Sequence, residues 1–217
     1  MSTLVLDGGR AGNPLRGRIN SWFFDALDDH MHAMLGAAKE ALFADLPDTV
    51  VELGPGTGAN LRYLRPGTKL VAIEPNPFMH ERLVRRAAEH DIALDLRVQG
   101  AELLPFADAS VDAVISTLVL CTVEDVDAVL AEVKRVLRPG GTFRCIEHVA
   151  APGPGFVHHV QRLVAGPWRW FFEGCHTHRP LAEAMEAAGF SEIDLRRVDS
   201  PTLFVPVRPQ IHVRATR

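Results

Sequence analysis

A short stretch near residue 50 combines the residue types of a nucleoside-binding site. In residues 50–58, an apolar run that includes the acid Glu52 is followed by three alternate glycines, of which Gly54 is the first. Glycines let backbone N–H groups approach a ligand closely, and the start of a following helix favours negative charge. Glu74 lies 20 residues after Gly54, about where an acid binds the ribose hydroxyls of a dinucleotide. This spacing predicts a ligand that contains a nucleoside; the alternative is a tight turn without a ligand.

Three histidines could move protons close to such a site. His148 directly follows a predicted strand, and His176 and His178 come in a later segment. A neutral imidazole can accept a proton above about pH 6.5. His148 is therefore the first candidate for a general base, ahead of the other two. The alternative for each is a rim histidine that bonds to a carbonyl.

The composition limits the classes of protein to which the chain can belong. Its 217 residues fit one domain with an ordinary share of apolar residues, and the formal net charge of −4 argues against a nucleic-acid partner. Cys121, Cys145 and Cys175 are far apart and lack metal-ligand spacing, which predicts free thiols, no metal site and a reducing compartment. Without a long apolar run, we expect no membrane span and a cytoplasmic protein. The sequence does not indicate the oligomeric state.

Strands and helices alternate along most of the chain. Apolar runs predict strands at residues 50–53, 69–74, 95–99, 111–117, 141–147, 192–198 and 209–215. Helical periodicity is found at residues 20–46, 77–90, 123–136 and 179–188, and a short helix is expected to end near residue 64. This alternation indicates a parallel sheet with crossover helices. A ligand should then lie beyond the carboxyl ends of the strands.

Two segments fall outside this alternation. Residues 1–18 lack periodicity and are predicted to form a mobile arm, ahead of a single domain at residues 19–217. Residues 149–178 are rich in proline and glycine and then aromatic, which predicts a cap over the crevice. The aromatic run at 168–172 has two interpretations. It either roofs an apolar acceptor pocket, which is favoured, or makes peripheral contact with a membrane beside basic residues such as Arg169.

The glycine spacing fits two kinds of nucleotide cofactor. Residues 54–59 satisfy the pattern G-x-G-x-x-G/A of nicotinamide-dependent oxidoreductases. Three features favour a different cofactor: Glu52 before the turn, the additional Gly58, and two late strands in place of a second mononucleotide half. A nicotinamide oxidoreductase remains the competing hypothesis from another class of enzyme.

Four segments resemble, in the right order, the class I S-adenosylmethionine-dependent methyltransferases. They cover about residues 50–147 and comprise ELGPGTG at 52–58, EPNP at 74–77, ELLPF at 102–106 and LRPGG at 137–141. The resemblance implies an α/β, Rossmann-like fold with a seven-stranded, mostly parallel sheet, an antiparallel last strand and helices on both faces. It also implies S-adenosyl-L-methionine as the cofactor.

A narrower resemblance extends from about residue 50 to the end of the chain. The segments GTGAN at 56–60, TLVLC at 117–121, EHVA at 147–150, GC at 174–175 and VRPQI at 207–211 are similar to the methyltransferase-like thiol S-methyltransferases of animals. This similarity implies a small apolar acceptor, with a thiol as the first choice. The alternatives are O- or C-methylation of a quinone-like or other small molecule, N-methylation of a lipid amine, and a cofactor-binding module without catalysis.

The family resemblance also implies roles for individual residues. Glu52 would hold the methionine amine, Glu74 would bind both ribose hydroxyls, residues 101–102 would edge the adenine and residues 117–118 would border the sulfonium. The implied cofactor-binding set is Glu52, Gly54, Pro55, Gly56, Gly58, Glu74, Pro75, Asn76, Ala101, Glu102, Thr117 and Leu118. For Thr117, a strand-end hydroxyl that bonds only to backbone is the alternative.

The implied chemistry is a direct displacement at the sulfonium methyl. It needs no covalent enzyme intermediate, so Cys121 is interpreted as a small residue of the crevice wall. A thiol has a reference pKa of about 8.5, and one histidine such as His148 would suffice to yield the thiolate. Gly100 departs from the family pattern, because many relatives carry an aspartate at this position.

Overall fold

Strands and helices alternate in the computed structural model, which describes residues 14–202 and 204–217. The strands are β1 (Thr49–Leu53), β2 (Lys69–Ile73), β3 (Ala93–Arg97), β4 (Val111–Thr117), β5 (Leu137–His148), β6 (Glu192–Asp199) and β7 (Pro209–Thr216). The helices are α1 (Pro14–Ala26), α2 (Asp28–Phe43), α3 (Pro77–Glu89), α4 (Val126–Val136), α5 (Phe156–Phe171) and α6 (Leu181–Ala187).

The strands of the described residues form one seven-stranded sheet in the order β3-β2-β1-β4-β5-β7-β6. Neighbouring strands from β3 to β5 are parallel, whereas β7 is antiparallel to both β5 and β6. The predicted seven-stranded, mostly parallel sheet with an antiparallel last strand is therefore confirmed. The strand order reverses between β1 and β4, and the carboxyl ends of these strands flank the crevice where open α/β sheets bind ligands.

Helices cover both faces of the sheet because the strands send apolar side chains into two cores. On one face, α4 and α6 contribute Val129 and Met185; on the other, α2 and α3 contribute Phe43 and Leu83. Adjacent residues of β4 belong to opposite cores, as the period of two in a strand requires. The predicted Rossmann-like arrangement of helices on both faces is confirmed.

The amino end differs from the prediction. α1 includes residues 14–18, so the predicted arm is wrong for them, and residues 1–13 lie outside the described residues. The single helix predicted at 20–46 consists of α1 and α2, which meet at Leu27. The Leu27 N–H still donates to the Phe23 carbonyl at 3.0 Å, so helical hydrogen bonding continues across the junction.

The segment after the glycine turn is shorter than predicted. A single turn of 3-10 helix, Leu61–Tyr63, stands where the sequence predicted a short α-helix. Asn60 precedes this turn, but its side chain makes no capping hydrogen bond there. Because so short a turn has little dipole, a bound ligand must be held by the glycine turn and its neighbouring side chains, not by a helix N-terminus.

β5 begins earlier than its predicted boundary at residue 141. The LRPGG segment was expected to be a turn, yet it forms the first part of the strand. The register with β4 shifts between Val111 and Ala113, and Gly140 has a positive φ of 80°. A bulge thus accommodates the glycine pair within the strand.

The cap segment, residues 149–178, contains the 16-residue helix α5, which the sequence analysis did not predict. Pro167 lies within this helix, and proline is a poor signal for helix. The fully buried Gln161 fixes α5 to the rest of the fold: its amide donates to the carbonyls of Val149 and Pro206, both at 2.9 Å, and accepts a further backbone N–H. One side chain therefore joins the cap to the end of β5 and to the segment before β7.

We expect Gln161→Ala to lower the free energy of unfolding by about 2–4 kcal/mol, because it leaves two buried carbonyls and an N–H unpaired, each at about 1–3 kcal/mol. Urea denaturation measures the change. Gln99→Ala is the matched control, since the Gln99 amide also bonds to a backbone carbonyl but at an exposed position. Equal losses for the two variants would contradict the anchoring role of Gln161.

Candidate active site

The acid at the end of β2 is bonded to the glycine turn, residues 54–58. One carboxylate oxygen of Glu74 accepts the Gly56 N–H at 2.9 Å, and the other accepts the Asn76 N–H at 2.8 Å. Burial raises the pKa of Glu74 to about 7, although both backbone N–H groups favour its charged form. The two features that the sequence singled out by spacing therefore lie in contact.

The three glycines of the turn have positive φ angles of 56°, 58° and 91°, but their surroundings differ. A Cβ at Gly54 would lie 2.6 Å from a Val119 methyl group, and one at Gly58 would lie 2.9 Å from a Leu61 methyl group. A Cβ at Gly56 would meet no atom of the described residues within 4 Å. Packing of the protein thus requires glycine at two positions, and Gly56 is the one that faces open space.

The acid within β1 organises a buried polar network. Glu52 is fully buried, and its Oε1 accepts the Asn60 amide at 2.7 Å; the same amide donates to the Thr117 hydroxyl at 3.1 Å. Burial raises the pKa of Glu52 to about 7. The sequence analysis did not assign a role to Asn60, although it belongs to the GTGAN segment of the narrower resemblance. The Thr117 hydroxyl thus accepts a hydrogen bond from the Asn60 side chain, so the alternative in which it bonds only to backbone is wrong.

Two acceptor atoms of this network suit a cationic donor. Glu52 Oε2 and Asn60 Oδ1 are buried and have no hydrogen-bond partner among the described residues. Buried acceptors without partners are costly, so a ligand that donates to them is favoured. The ammonium group of S-adenosylmethionine is such a donor, and its ribose hydroxyls can donate to Glu74. The residues present therefore fit this cofactor.

The structure also places the remaining predicted contacts with the cofactor. Pro55 is buried and Pro75 is exposed. Ala101 packs in the core with 7% of its surface exposed, and the Glu102 carboxylate accepts a backbone N–H at 3.2 Å. A Cβ at Gly100 would lie 2.6 Å from Glu102 Oε2, so Glu102 occupies the space that a side chain at position 100 would need.

A buried acid at the end of β5, to which the sequence analysis assigned no role, holds the loop after β4. Glu147 Oε1 accepts the Ser116 hydroxyl at 3.0 Å and the backbone N–H groups of Val119 and Leu120 at 2.9 and 3.1 Å. Burial raises the pKa of this fully buried carboxyl. The loop contains Leu118, a non-glycine residue with a positive φ of 58°. Glu147 therefore stabilises the strained loop that was predicted to border the sulfonium.

His148 is buried, with 2% of its surface exposed, and does not lie at the rim as predicted. Its Nε2 lies 3.1 Å from Cys175 Sγ, which is 3.5 Å from Cys121 Sγ and accepts the Trp168 indole N–H at 3.3 Å. Cys121 and Cys175 are far apart in sequence, but the fold brings their sulfur atoms together. The separation inferred from sequence spacing is therefore wrong for this pair. We call Cys121, His148 and Cys175 the sulfur–imidazole cluster.

The cluster has a polarised electrostatic environment. The hydrogen bond with Cys121, followed by that with His148, lowers the pKa of the Cys175 thiol, and the same sulfur contact raises the pKa of Cys121. Of the two alternative bases, His176 adjoins the cluster through its backbone, whereas the His178 side chain does not bond to it among the described residues. The His176 backbone N–H donates to the Cys121 carbonyl at 2.8 Å, and the His178 side chain is exposed.

The aromatic run 168–172 faces two ways. Trp168 and Phe172 pack against the core with ring centroids 4.3 Å apart, as expected for a roof. Trp170 is 65% exposed and has the exposed Arg169 beside it in sequence, which is where the peripheral membrane contact would occur; that contact stays a prediction. Within the part of the chain that the structure describes, no helix is long and apolar enough to cross a bilayer.

Side chains from α1 and from the end of the cap reach the cofactor side of the crevice. The Asn76 amide donates to the Glu173 carboxylate at 2.9 Å, and Glu173 lies 3.8 Å from the Arg16 guanidinium. The buried Asn20 donates to the Phe171 carbonyl at 2.8 Å. α1 therefore connects the cap with the segment that follows β2.

Comparison with known proteins assigns this fold and site to a family. A family model described as a methyltransferase domain matches residues 51–145. The chain is 34% identical to the thiol S-methyltransferase TMT1A of Homo sapiens over 194 residues, which cover 84% of this chain and 80% of the relative. It is 31% identical to the ubiquinone/menaquinone biosynthesis C-methyltransferase UbiE of Methylobacterium nodulans, with 88% and 90% covered. Among solved structures, the fold is similar to geranyl diphosphate C-methyltransferase from Streptomyces coelicolor, with a TM-score of 0.66 and 19% identity. That structure is a complex with Mg²⁺, geranyl diphosphate and S-adenosyl-L-homocysteine, and the similarity covers 86% of this chain and 81% of that chain.

The sheet order, the glycine turn and the acids at its strand ends define a class I methyltransferase. The chain belongs to the S-adenosylmethionine-dependent methyltransferase family, and the narrower resemblance to the thiol S-methyltransferases is confirmed by its similarity to TMT1A. S-adenosylmethionine is the cofactor, and the competing hypothesis of a nicotinamide oxidoreductase is wrong.

We expect Gly56→Val to abolish binding of S-adenosylmethionine, because a branched side chain would fill the open space of the turn and cannot easily adopt its positive φ. Gly67→Val is the matched control: Gly67 also has a positive φ, of 81°, and a Cβ there meets no described atom within 4 Å, but it lies in the turn before β2. Isothermal titration calorimetry measures the affinity. Retained binding in Gly56→Val, or equal loss in both variants, would contradict the assigned site.

The affinity for S-adenosylmethionine should rise with pH through about 7. Burial raises the pKa of Glu74 to about 7, so the free carboxyl is partly protonated near neutrality, whereas ribose hydroxyls bond more strongly to the carboxylate. Binding should therefore release a proton, and Glu74→Gln should reduce this release and weaken binding by about 1–3 kcal/mol at high pH. Calorimetry in buffers with different ionisation enthalpies tests this. An affinity independent of pH in the wild type would refute the proton release.

Proposed function

We propose that the protein transfers the methyl group of S-adenosylmethionine to the sulfur of a small apolar thiol. The observation that carries this proposal is the sulfur–imidazole cluster. His148 ends β5, and Cys121 Sγ lies 3.5 Å from the Leu118 carbonyl oxygen in the loop predicted to border the sulfonium. The name of the TMT1A relative, a thiol S-methyltransferase, supports the same acceptor.

Each part of the site has a role in this proposal. Bound S-adenosylmethionine supplies an electrophilic methyl group on a sulfonium centre. Glu52 and Asn60 would hold the cofactor's ammonium group, Glu74 would hold its ribose, and the loop stabilised by Glu147 would border the methyl group. Fixing the acceptor beside that methyl can lower the barrier by up to roughly 7–11 kcal/mol. We propose that the acceptor sulfur depends on His148 to react as a thiolate.

The aromatic side of the cap suits an apolar acceptor. Trp168 donates to a sulfur of the cluster and packs against Phe172, so a small apolar molecule would meet both rings and sulfur at the same place. Pockets for small molecules are mostly apolar and aromatic with few polar groups. This mixture favours an apolar thiol over a charged acceptor, and the negative net charge disfavours a nucleic acid.

C-methylation of a quinone-like molecule is the second candidate, because the UbiE relative is named for that reaction. O-methylation and N-methylation of a lipid amine are further alternatives. A carbon nucleophile would need no soft sulfur environment, whereas the cluster offers one. We propose the cytoplasm as the compartment, since a reducing environment keeps Cys121 and Cys175 as the free thiols described here.

We expect His148→Ala to lower kcat for an alkane thiol by roughly 10²–10⁴-fold, because the acceptor is then no longer delivered as a thiolate. The affinity for S-adenosylmethionine should change little, since no cofactor contact is assigned to this side chain. Mass spectrometry of the S-methyl product measures turnover, and calorimetry measures cofactor binding. His159→Ala is the matched control, because His159 is exposed at the start of α5.

Acceptor competition separates the candidate functions. Wild-type protein is incubated with an alkane thiol, the corresponding alcohol and a hydroquinone of similar size. S-methylation should dominate. Faster methylation of the hydroquinone would overturn the proposed acceptor. Equal kcat for wild type and His148→Ala with the thiol would overturn the proposed role of His148.

A further inference from the structure

We propose that Cys121, His148 and Cys175 bind one Zn²⁺ ion, which holds the acceptor thiolate in its remaining coordination position. The identity of that acceptor rests on the proposed thiol S-methylation, whereas the metal site itself does not. Among the described residues, these three side chains form the group whose potential ligand atoms lie within 4.8 Å of one another.

The distances are close to those of a metal site. Zn–S bonds of about 2.3 Å and Zn–N bonds of about 2.0–2.1 Å in a tetrahedron place two sulfurs about 3.8 Å apart and a sulfur and nitrogen about 3.6 Å apart. Here the sulfurs of Cys121 and Cys175 are 3.5 Å apart, and His148 Nε2 lies 3.1 Å from Cys175 Sγ. The ligand atoms of His148 and Cys121 lie within 4.8 Å of each other, so shifts of up to roughly 1 Å would bring all three atoms to tetrahedral spacing.

The donor set selects the kind of metal and its role. Two thiolates and an imidazole favour Zn²⁺ over Mg²⁺ or Ca²⁺, which prefer oxygen ligands. Three protein ligands with a fourth open position are typical of catalytic zinc, whereas structural zinc has four. The indole N–H of Trp168 donates to Cys175 Sγ at 3.3 Å, and such outer contacts orient and stabilise ligating groups.

The ligands are also well fixed by the fold. Cys121 ends the loop that Glu147 holds, His148 ends β5, and Cys175 follows α5, which Gln161 anchors. All three side chains are buried, which excludes water and favours a tightly held ion. The three segments TLVLC, EHVA and GC, which carry the narrower family resemblance, meet at this point.

The zinc explains how a thiol can react at neutral pH. The two cysteines and the acceptor thiol release their protons to solvent when they bind the metal, since a coordinating thiol is deprotonated. The acceptor sulfur then forms a bond to the methyl carbon with its own electron pair, and the carbon–sulfonium bond breaks with its pair retained by the departing sulfur. The neutral thioether is a weaker ligand than a thiolate and leaves the metal. No oxidant or reductant is needed.

The test uses the whole protein and needs no turnover. Protein is prepared under reducing conditions, stripped with a chelator and titrated with Co²⁺, which reports thiolate ligands by a charge-transfer absorption and a tetrahedral site by visible ligand-field bands. We expect saturation at one Co²⁺ per chain and displacement by one Zn²⁺. Cys121→Ala, Cys175→Ala and His148→Ala should lose or alter these bands. Cys145→Ala, which removes a buried cysteine of β5 outside the cluster, should retain them.

Trp168→Phe keeps an aromatic ring but removes the N–H donor, and it should weaken Co²⁺ binding by about 10–100-fold without removing the bands. Circular dichroism verifies that each variant is folded. Absence of a saturable thiolate–cobalt absorption in the wild type, or its loss in Cys145→Ala but not in the cluster variants, would overturn the metal site.

A second titration tests the acceptor position. Addition of an alkane thiol to the Co²⁺ protein should shift the ligand-field bands, and the corresponding alcohol should not. Unchanged bands with bound cobalt would overturn the open position while the metal site stands. Shifted bands without any S-methyl product in the Zn²⁺ protein would support the site and overturn the proposed function, so the two failures are distinguishable.

Discussion

Three buried glutamates near the carboxyl ends of β1, β2 and β5 hold the loops of the site, and the crevice depends on their hydrogen bonds. Glu52 accepts from Asn60, Glu74 accepts from Gly56, and Glu147 accepts from the loop after β4. Burial raises the pKa of each carboxyl, because the charged form loses its hydration. The N–H donors offset part of that cost, so each acid and its loop stabilise one another. A single sheet edge thereby positions the cofactor residues and the methyl site together.

The same acids couple cofactor binding to the stability of the fold. A carboxyl whose folded pKa is raised contributes stability below its unfolded pKa of about 4.3 and loses that contribution as pH rises through the folded value, here about 7 for Glu52 and Glu74. Near neutrality the free protein therefore bears the cost of two poorly hydrated carboxyls. The buried Lys39 interacts favourably with Glu52, but burial lowers its own pKa to about 8. A ligand with an ammonium and two hydroxyl donors recovers the remaining cost, and so stabilises the folded state when it binds.

Most of the fold could be predicted from the sequence, because strand and helix periodicity and the glycine turn depend on residues close in the chain. α5 was missed although Val157, Val160 and Val164 recur at helical spacing, because Pro167 and the neighbouring glycines suggested a loop. Its position on the fold depends on the bonds of Gln161 to distant carbonyls. In the site, the Glu74–Gly56 pair followed from a fixed spacing, whereas the roles of Asn60 and Glu147 depend on which strand ends become neighbours in the sheet. Burial of His148 was missed for the same reason: the end of a strand indicates the rim only when no later segment covers it.

The cap supplies that cover, and it links acceptor chemistry to the position of the cofactor. Cys175 comes from the cap, whereas Cys121 and His148 come from the ends of neighbouring parallel strands, so the cluster exists only when the cap lies on the sheet. Glu173, two residues before Cys175, accepts from Asn76 beside the ribose acid. One short segment thus contacts both the acceptor side and the cofactor side of the crevice. Because a displacement requires both reactants at a fixed distance, a cap that is held at both points aligns the acceptor with the methyl group more rigidly than either contact could alone.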